Sequence, residues 1–180
     1  MFSATKLIAK EPPAQKATKI VGLISDTHVP KQAHCLPPKI FEVFEKVDYI
    51  IHAGDLVELA VVDDLERLAP VLAVHGNMDG LDVANSLPSL NSLKVFDWKI
   101  GVMHNPDIAF GFSRMRQLVG EHGFDVFVYG HTHTAEVRWE GKTLYINPGS
   151  ATITRSVMGK TSLGMLKITR DAIEPEIVKL

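Results

Sequence analysis

Five apolar runs rich in Val and Ile punctuate the chain, and each closes on small or polar residues. They are KIVGLISDTH (Lys19 to His28), VDYIIHAGD (Val47 to Asp55), APVLAVHGNMD (Ala69 to Asp79), WKIGVMHN (Trp98 to Asn105) and FDVFVYGHTH (Phe124 to His133). Short continuous apolar runs of this kind read as strands buried on both faces. Between them, PPKIFEVFEKV opens on Pro at the favoured helix start and spaces Ile40, Phe41, Phe44 and Val47 near the helical repeat. VELAVVDDLERLA does the same with Val61, Val62, Leu65, Leu68 and Ala69, and FGFSRMRQLVGEHGFD with Phe112, Met115, Leu118 and Val119, before Gly123 where a helix would stop. Strands alternating with helices predict an α/β layered domain. The last third differs: AEVRWEGKTLYINPGS reads as two strands turning at Glu140-Gly141-Lys142, and SLGMLKITRDAIEPEIVKL as another pair turning near Arg170-Asp171. A second, more antiparallel sheet packed on the first is expected.

The polar residues are placed more tellingly than they are numerous. At the carboxyl end of the five runs stand Asp26 and His28, then Asp55, Asn77, His104, and finally His131 and His133. Open α/β sheets bind ligands outside those strand ends. Glycine precedes three of the clusters, at Gly54, Gly76 and Gly130, where a missing Cβ permits an abrupt exit and close approach. Two histidines spaced by two on extended backbone point to the same side, so His131 and His133 could converge on one object. Seven candidate ligands exceed a closed zinc site, which takes four. Carboxylates, imidazoles and one amide oxygen suit two borderline divalent ions with a bridging carboxylate, His131 and His133 each serving one ion. Singly, each residue reads as an ordinary polar strand end or cap; the ordered set is what carries the metal reading.

Composition narrows the remaining classes. At 180 residues the chain holds one substantial core, with 46% hydrophobic and 22% charged residues and a formal net charge of −2. Neither nucleic acid nor an anionic membrane is expected as a stable partner. Cys35 is the single cysteine, which excludes an internal disulfide and fits a reducing, cytoplasmic setting. Beside His34 it reads as a small loop residue rather than a nucleophile. No apolar stretch approaches the ~20 residues of a membrane span. Met1 to Thr18 reads as an N-terminal extension preceding one domain over residues 19–180.

The ordered series Asp26-Thr-His28, Gly54-Asp55, Gly76-Asn77, His104 and Gly130-His131-Thr-His133 closely resembles the motif series of the calcineurin-like metallophosphoesterases. GNMD and YINPGS look like the small single-domain phosphodiesterase branch, which also includes the retromer scaffold subunit. The resemblance implies a four-layer sandwich of two mixed β-sheets flanked by α-helices, of metallophosphoesterase type. It implies Asp26, His28 and His133 on one metal, Asn77, His104 and His131 on the other, and Asp55 between them, with Asp55, His104 and His131 as the catalytic set. Nitrogen and oxygen ligation admits Mn²⁺, Fe, Zn²⁺, Ni²⁺ or Co²⁺, and the resemblance favours Mn²⁺. A homodimer or higher homo-oligomer is also implied.

Two departures stand out. Many larger relatives carry His where this chain has Met78, and methionine has no proton to give a leaving group. The family's His-Gly is His104-Asn105 here, a turn that Asn tolerates and Pro106 opposes. The expected activity is hydrolysis of a small phosphodiester by a hydroxide bridging two metals. A protein-binding scaffold that retains a metal site and a phosphomonoesterase are the rival readings. Asp79 reads as a ligand-supporting residue or a turn cap, His75 as a packed strand-end residue within reach of substrate, and His34, His52 and His122 as structural. Asn147 and Ser150 are expected to shape a loop near the metals.

Overall fold

The computed structural model describes residues 17–106, 112–152 and 160–180. Most of the expected N-terminal extension, residues 107–111 of the Pro106 to Ser113 loop, and the first residues of the FGFSRMRQLVGEHGFD pattern lie outside the described residues.

Two five-stranded mixed sheets face each other. The first is built from β1 (Lys19–Ile24), β2 (Tyr49–His52) and β3 (Val71–Ala73), which run parallel, and from the hairpin β9 (Ser162–Ile168) and β10 (Ile173–Lys179), joined antiparallel to β1 in the order β10-β9-β1-β2-β3. The second has the order β4-β5-β6-β8-β7, with β4 (Leu90–Val95), β5 (Trp98–Met103), β6 (Val126–Val128), β7 (Glu136–Glu140) and β8 (Thr143–Asn147). Strands β5, β6 and β8 are parallel, while β4 and β7 close the edges antiparallel.

This corrects one expectation. The two C-terminal strand pairs do not make a sheet of their own: β7–β8 joins the second sheet and β9–β10 the first. The five apolar runs are likewise divided, three to one sheet and two to the other. Alternation within a run cannot reveal this, because a strand buried on both faces looks the same whichever sheet receives it. Strand β4 and helix α3 (Leu81–Ser86) were not expected either; LNSLKV alternates irregularly, with Leu90 and Leu93 half buried and Val95 buried.

Period-two packing generates the layers. On β1, Val21 and Leu23 face the core between the sheets, joined by Ile51, Ile100, Val102, Val126, Val128, Leu144, Ile146 and Leu166. The alternate residues Ile24 and Ile50 pack outward on Ile40 of α1 (Pro38–Val43) and on Phe44, on Val61 and Leu65 of α2 (Ala60–Glu66), and on Val83 of α3. In the second sheet, Phe127, Tyr129 and Tyr145 face outward onto Met115 and Leu118 of α4 (Ser113–His122). Helix α4 stops where expected, at Gly123 in the left-handed conformation. The result is helices, sheet, sheet, helix. Each fully buried Val, Leu or Ile contributes roughly 1.5–3 kcal/mol, so the apolar runs hold the frame that aligns their polar ends.

His52, at the end of β2, is fully buried. Its Nδ1 accepts the backbone N–H of Gly54 (3.2 Å), so Nε2 carries the proton and faces Thr27 Oγ1 at 3.0 Å. Burial pushes its pKa down from an ordinary 6.5 to about 4, so it is neutral at pH 7. The unfolded chain takes up this proton near pH 6.5 and the folded chain only near 4. The contribution is therefore complete above pH 6.5 and is lost as pH falls to about 4, on the order of 3 kcal/mol. Urea unfolding at several pH values is expected to show a shallower decline in His52→Gln than in the wild type over that window; identical slopes would remove His52 from the account.

Candidate functional site

All seven residues singled out in the sequence lie just past strand ends, on the edge where the carboxyl ends of both sheets meet. The backbone of five of them is not extended. Asp26 (φ 53°), His28 (φ 46°), Asp55 (φ 58°), His131 (φ 68°) and His133 (φ 57°) all occupy the left-handed region. The expectation that His131 and His133 share one direction along a strand is thereby corrected. The chain coils after β6 and sends the two imidazoles to different groups.

In the first group, His133 Nε2 lies 3.1 Å and His28 Nε2 3.9 Å from Asp26 Oδ1, with the two imidazole nitrogens 3.3 Å apart. In the second, Asn77 Oδ1 is 2.8 Å from His131 Nδ1 and 3.1 Å from His104 Nε2. Asp55 stands between: its Oδ2 is 3.2 Å from His104 Nε2 and 3.8 Å from His28 Nε2. Ligand-type atoms of Asp26, His28 and His133, and again of Asp26, Asp55 and His104, lie within 4.8 Å of one another. Asp26 thus neighbours both groups, a position the sequence reading reserved for Asp55. Each group draws residues from both sheets.

Close packing explains two of the motif glycines. A Cβ on Gly76 would overlap Asp55 Oδ1 and stand 2.8 Å from His104 Cδ2, and one on Gly130 would overlap Ser25 Oγ and lie 2.9 Å from Asp26 Oδ2. Only glycine lets these loops pass so near the carboxylates.

A hydrogen-bonded surround fixes the loops. Asp79 accepts three backbone N–H groups: Asp55 (3.1 Å) and Gly76 (2.7 Å) on Oδ2, and Val57 (2.6 Å) on Oδ1. One carboxylate therefore clamps the loop after β2 to the loop after β3. Asn147 donates to the Gly130 carbonyl (2.8 Å) and to Thr132 Oγ1 (3.1 Å), and Ser150 Oγ donates to the Asp26 carbonyl (2.8 Å). Thr152 Oγ1 donates to the Thr27 carbonyl (2.8 Å). Ser25, whose hydroxyl contacts Asp26 Oδ2, escaped the sequence reading, as did Thr152 and the bracing by His52. Their partners are backbone atoms or immediate neighbours, and no spacing rule announces such contacts.

The electrostatics call for positive charge. His104 Nδ1 donates to the Ala53 carbonyl (2.8 Å), which turns Nε2 toward Asp55 and Asn77. Burial opposes charge on His104, but the Asp55 hydrogen bond and the Asp26 and Asp55 charges prevail, and its pKa is raised. For Asp55 burial works upward, yet the His104 hydrogen bond and charge hold its pKa below the usual carboxylate range. Burial lowers the pKa of His28. Asp26 Oδ1 is buried and makes no hydrogen bond among the described residues. Two buried carboxylates, imidazole nitrogens facing them and a carboxylate oxygen that makes no hydrogen bond although His133 Nε2 lies 3.1 Å away are the surroundings a divalent cation satisfies. The donor set therefore fits metal. Met78 is exposed at the lip, 44% accessible, and offers no proton; His34 and Cys35 lie apart on the exposed surface.

Comparison with known proteins agrees with this geometry. A model of the calcineurin-like phosphoesterase superfamily domain matches residues 20–171. A probable metallophosphoesterase of Methanocaldococcus jannaschii is 42% identical over 141 residues, covering 77% of this chain and 71% of that protein. Another, from Methanothermobacter thermautotrophicus, is 34% identical over 164 residues, 89% of this chain and 92% of that one. Among solved structures, one described as a novel archaeal phosphodiesterase superposes with a TM-score of 0.69 at 27% identity, covering 89% of this chain and 99% of the other. Vacuolar protein sorting 29 from Cryptosporidium parvum gives a TM-score of 0.74 at 20% identity, over 91% and 98% of the two chains, and shares the fold. The motif series, the two facing mixed sheets and these matches place the chain in the calcineurin-like phosphoesterase superfamily.

Proposed function

We propose that this chain is a phosphodiesterase whose domain, residues 19–180, holds two divalent metal ions, Mn²⁺ first among the candidates. Asp26, His28 and His133 would hold one ion, Asn77, His104 and His131 the other, with Asp55 between them. The observation that supports this most is the pair of overlapping ligand groups around Asp26, His28, His133, Asp55 and His104, all buried or nearly so, with Asp26 Oδ1 lacking a hydrogen bond. When bound, such ions supply Lewis acidity for phosphoryl oxygens and lower the pKa of a nucleophilic water toward neutrality.

The remaining work falls to the side chains. His104, anchored on Ala53, keeps one nitrogen directed at the group. Asp55 Oδ1 accepts the Met78 N–H (2.8 Å), which leaves Oδ2 turned toward the histidines. Met78 offers no general acid for a leaving alcohol, which favours esters whose leaving group departs unaided. The name of the archaeal structural relative supports the choice of diesters.

Chelator-stripped protein is expected to be inactive on bis(p-nitrophenyl) phosphate and to regain turnover with Mn²⁺, while His131→Ala stays inactive in both. Higher turnover of p-nitrophenyl phosphate than of the diester would favour the monoesterase instead, and folded, metal-loaded protein inactive on both would favour a scaffold.

Asp55→Asn is expected to lower turnover by more than about 100-fold, beyond the 10–100-fold typical of a supporting residue, and to weaken metal uptake measured by calorimetry. Wild-type turnover in that variant would refute its assignment between the metals.

Asp79→Asn places an amide against N–H donors that the carboxylate now accepts. Metal affinity is expected to fall about 10–100-fold with the circular dichroism spectrum unchanged; unaltered affinity would make Asp79 a turn residue only.

A further inference from the structure

Beside the ligand groups lies a second recess of about 300 Å³. It shares Gly76, Asn77 and His104 with the site and adds His75, Ser89, Met103 and Asn105. It lies at the seam of the two sheets: His75 follows β3, Ser89 precedes β4, and Met103 ends β5 opposite Leu90. The seam is braced, since the His75 backbone N–H donates to the Pro88 carbonyl (3.1 Å) and the Asn91 amide to the Ala73 carbonyl (3.4 Å). The smaller recess of about 180 Å³ on the other side of Asn77 is the one formed by His28, Asp55, His131 and His133 themselves. Asn77 therefore lines both the recess of the candidate ligands and a larger side chamber.

The chamber's chemistry selects its occupant. Among the described residues, none of its walls carries a carboxylate, ammonium or guanidinium group, so an ionised arm would find no charged side chain there to replace its hydration. The half-buried imidazole of His75 and thioether of Met103 suit the face or edge of a flat ring. Ser89 and Asn105 can each donate and accept at such a ring's polar edge. The volume is at the lower end for small-molecule sites and suits one nucleoside-sized group.

We propose that this chamber receives the neutral, planar heteroaromatic part of one alcohol of the substrate, so that the substrate is a nucleoside phosphodiester. The inference rests on the phosphodiesterase reading above. His75, Ser89, Met103 and Asn105 are then specificity residues, separate from the groups that hold metal.

Two esters with the same leaving group test it: p-nitrophenyl thymidine 5′-phosphate and methyl p-nitrophenyl phosphate. The wild type is expected to prefer the nucleoside ester by at least about tenfold in kcat/KM, worth about 1.4 kcal/mol. Ser89→Trp, which fills the rim from an exposed position, is expected to bring that ratio toward one. A second readout needs no turnover. With ¹³C-methyl methionine in protein freed of paramagnetic metal, thymidine 5′-phosphate is expected to shift the Met103 methyl resonance, and inorganic phosphate to leave it in place. No ester preference, or a preference that Ser89→Trp leaves intact, would overturn the proposal, as would a Met103 shift that phosphate alone reproduces. Inactivity on both esters would defeat the phosphodiesterase reading instead, and the methyl shift would then decide whether the chamber takes the nucleoside.

Discussion

Left-handed backbone at Asp26, His28, Asp55, His131 and His133 is the constraint on which the site rests. A strand carries side chains alternately to its two faces, so an extended exit would scatter these groups across the layers. Turning the chain into the left-handed region at the strand end gathers them on one edge, at a cost of order 1–3 kcal/mol for each residue held there. That strain persists only where the surroundings over-determine it. The carboxylate of Asp79, the amide of Asn147, the hydroxyls of Ser150 and Thr152 and the ring of His52 supply that determination through backbone atoms of the same loops.

The same loops bring two carboxylates into a buried setting, which is costly unless the charge is met. His104 meets part of it, as the direction of its pKa shows, and Asp26 Oδ1 is left without a hydrogen bond among the described residues. The apolar layers hold the frame on which the polar edge is arranged. Local rules of folding are broken at that edge, in the manner of functional sites.

Much of this was legible in the chain. The five runs and their polar ends pointed to the seven side chains that gather on the edge, because strand burial and strand-end chemistry are both local in sequence, whereas Ser25 and Thr152 were not legible. Partition of the strands between two sheets was not legible, since Val102 and Val21 are equally apolar and sit on the same inter-sheet core from opposite sides. Nor was the coiling after β6: nothing in His131-Thr132-His133 signals positive φ, which is imposed by Asn147 and by the close passage of Gly130 over Ser25. Asp79 was readable as a ligand-supporting residue or a turn cap without a choice between them, because its three partners are N–H groups that any sequence would offer.

Each side-chain group at the edge takes members from both sheets: Asp26, His28, Asp55 and Asn77 from the first, His104, His131 and His133 from the second. The thickness of the apolar layer between Val21, Leu23 and Ile51 on one side and Val102, Val126 and Val128 on the other therefore acts as a calliper for the donor spacing. Well-packed interiors resist compression and transmit small displacements. A single methylene gained or lost in that wholly apolar layer would be felt as a change in the spacing of the polar groups at the edge, so side chains that never touch the edge take part in setting its geometry.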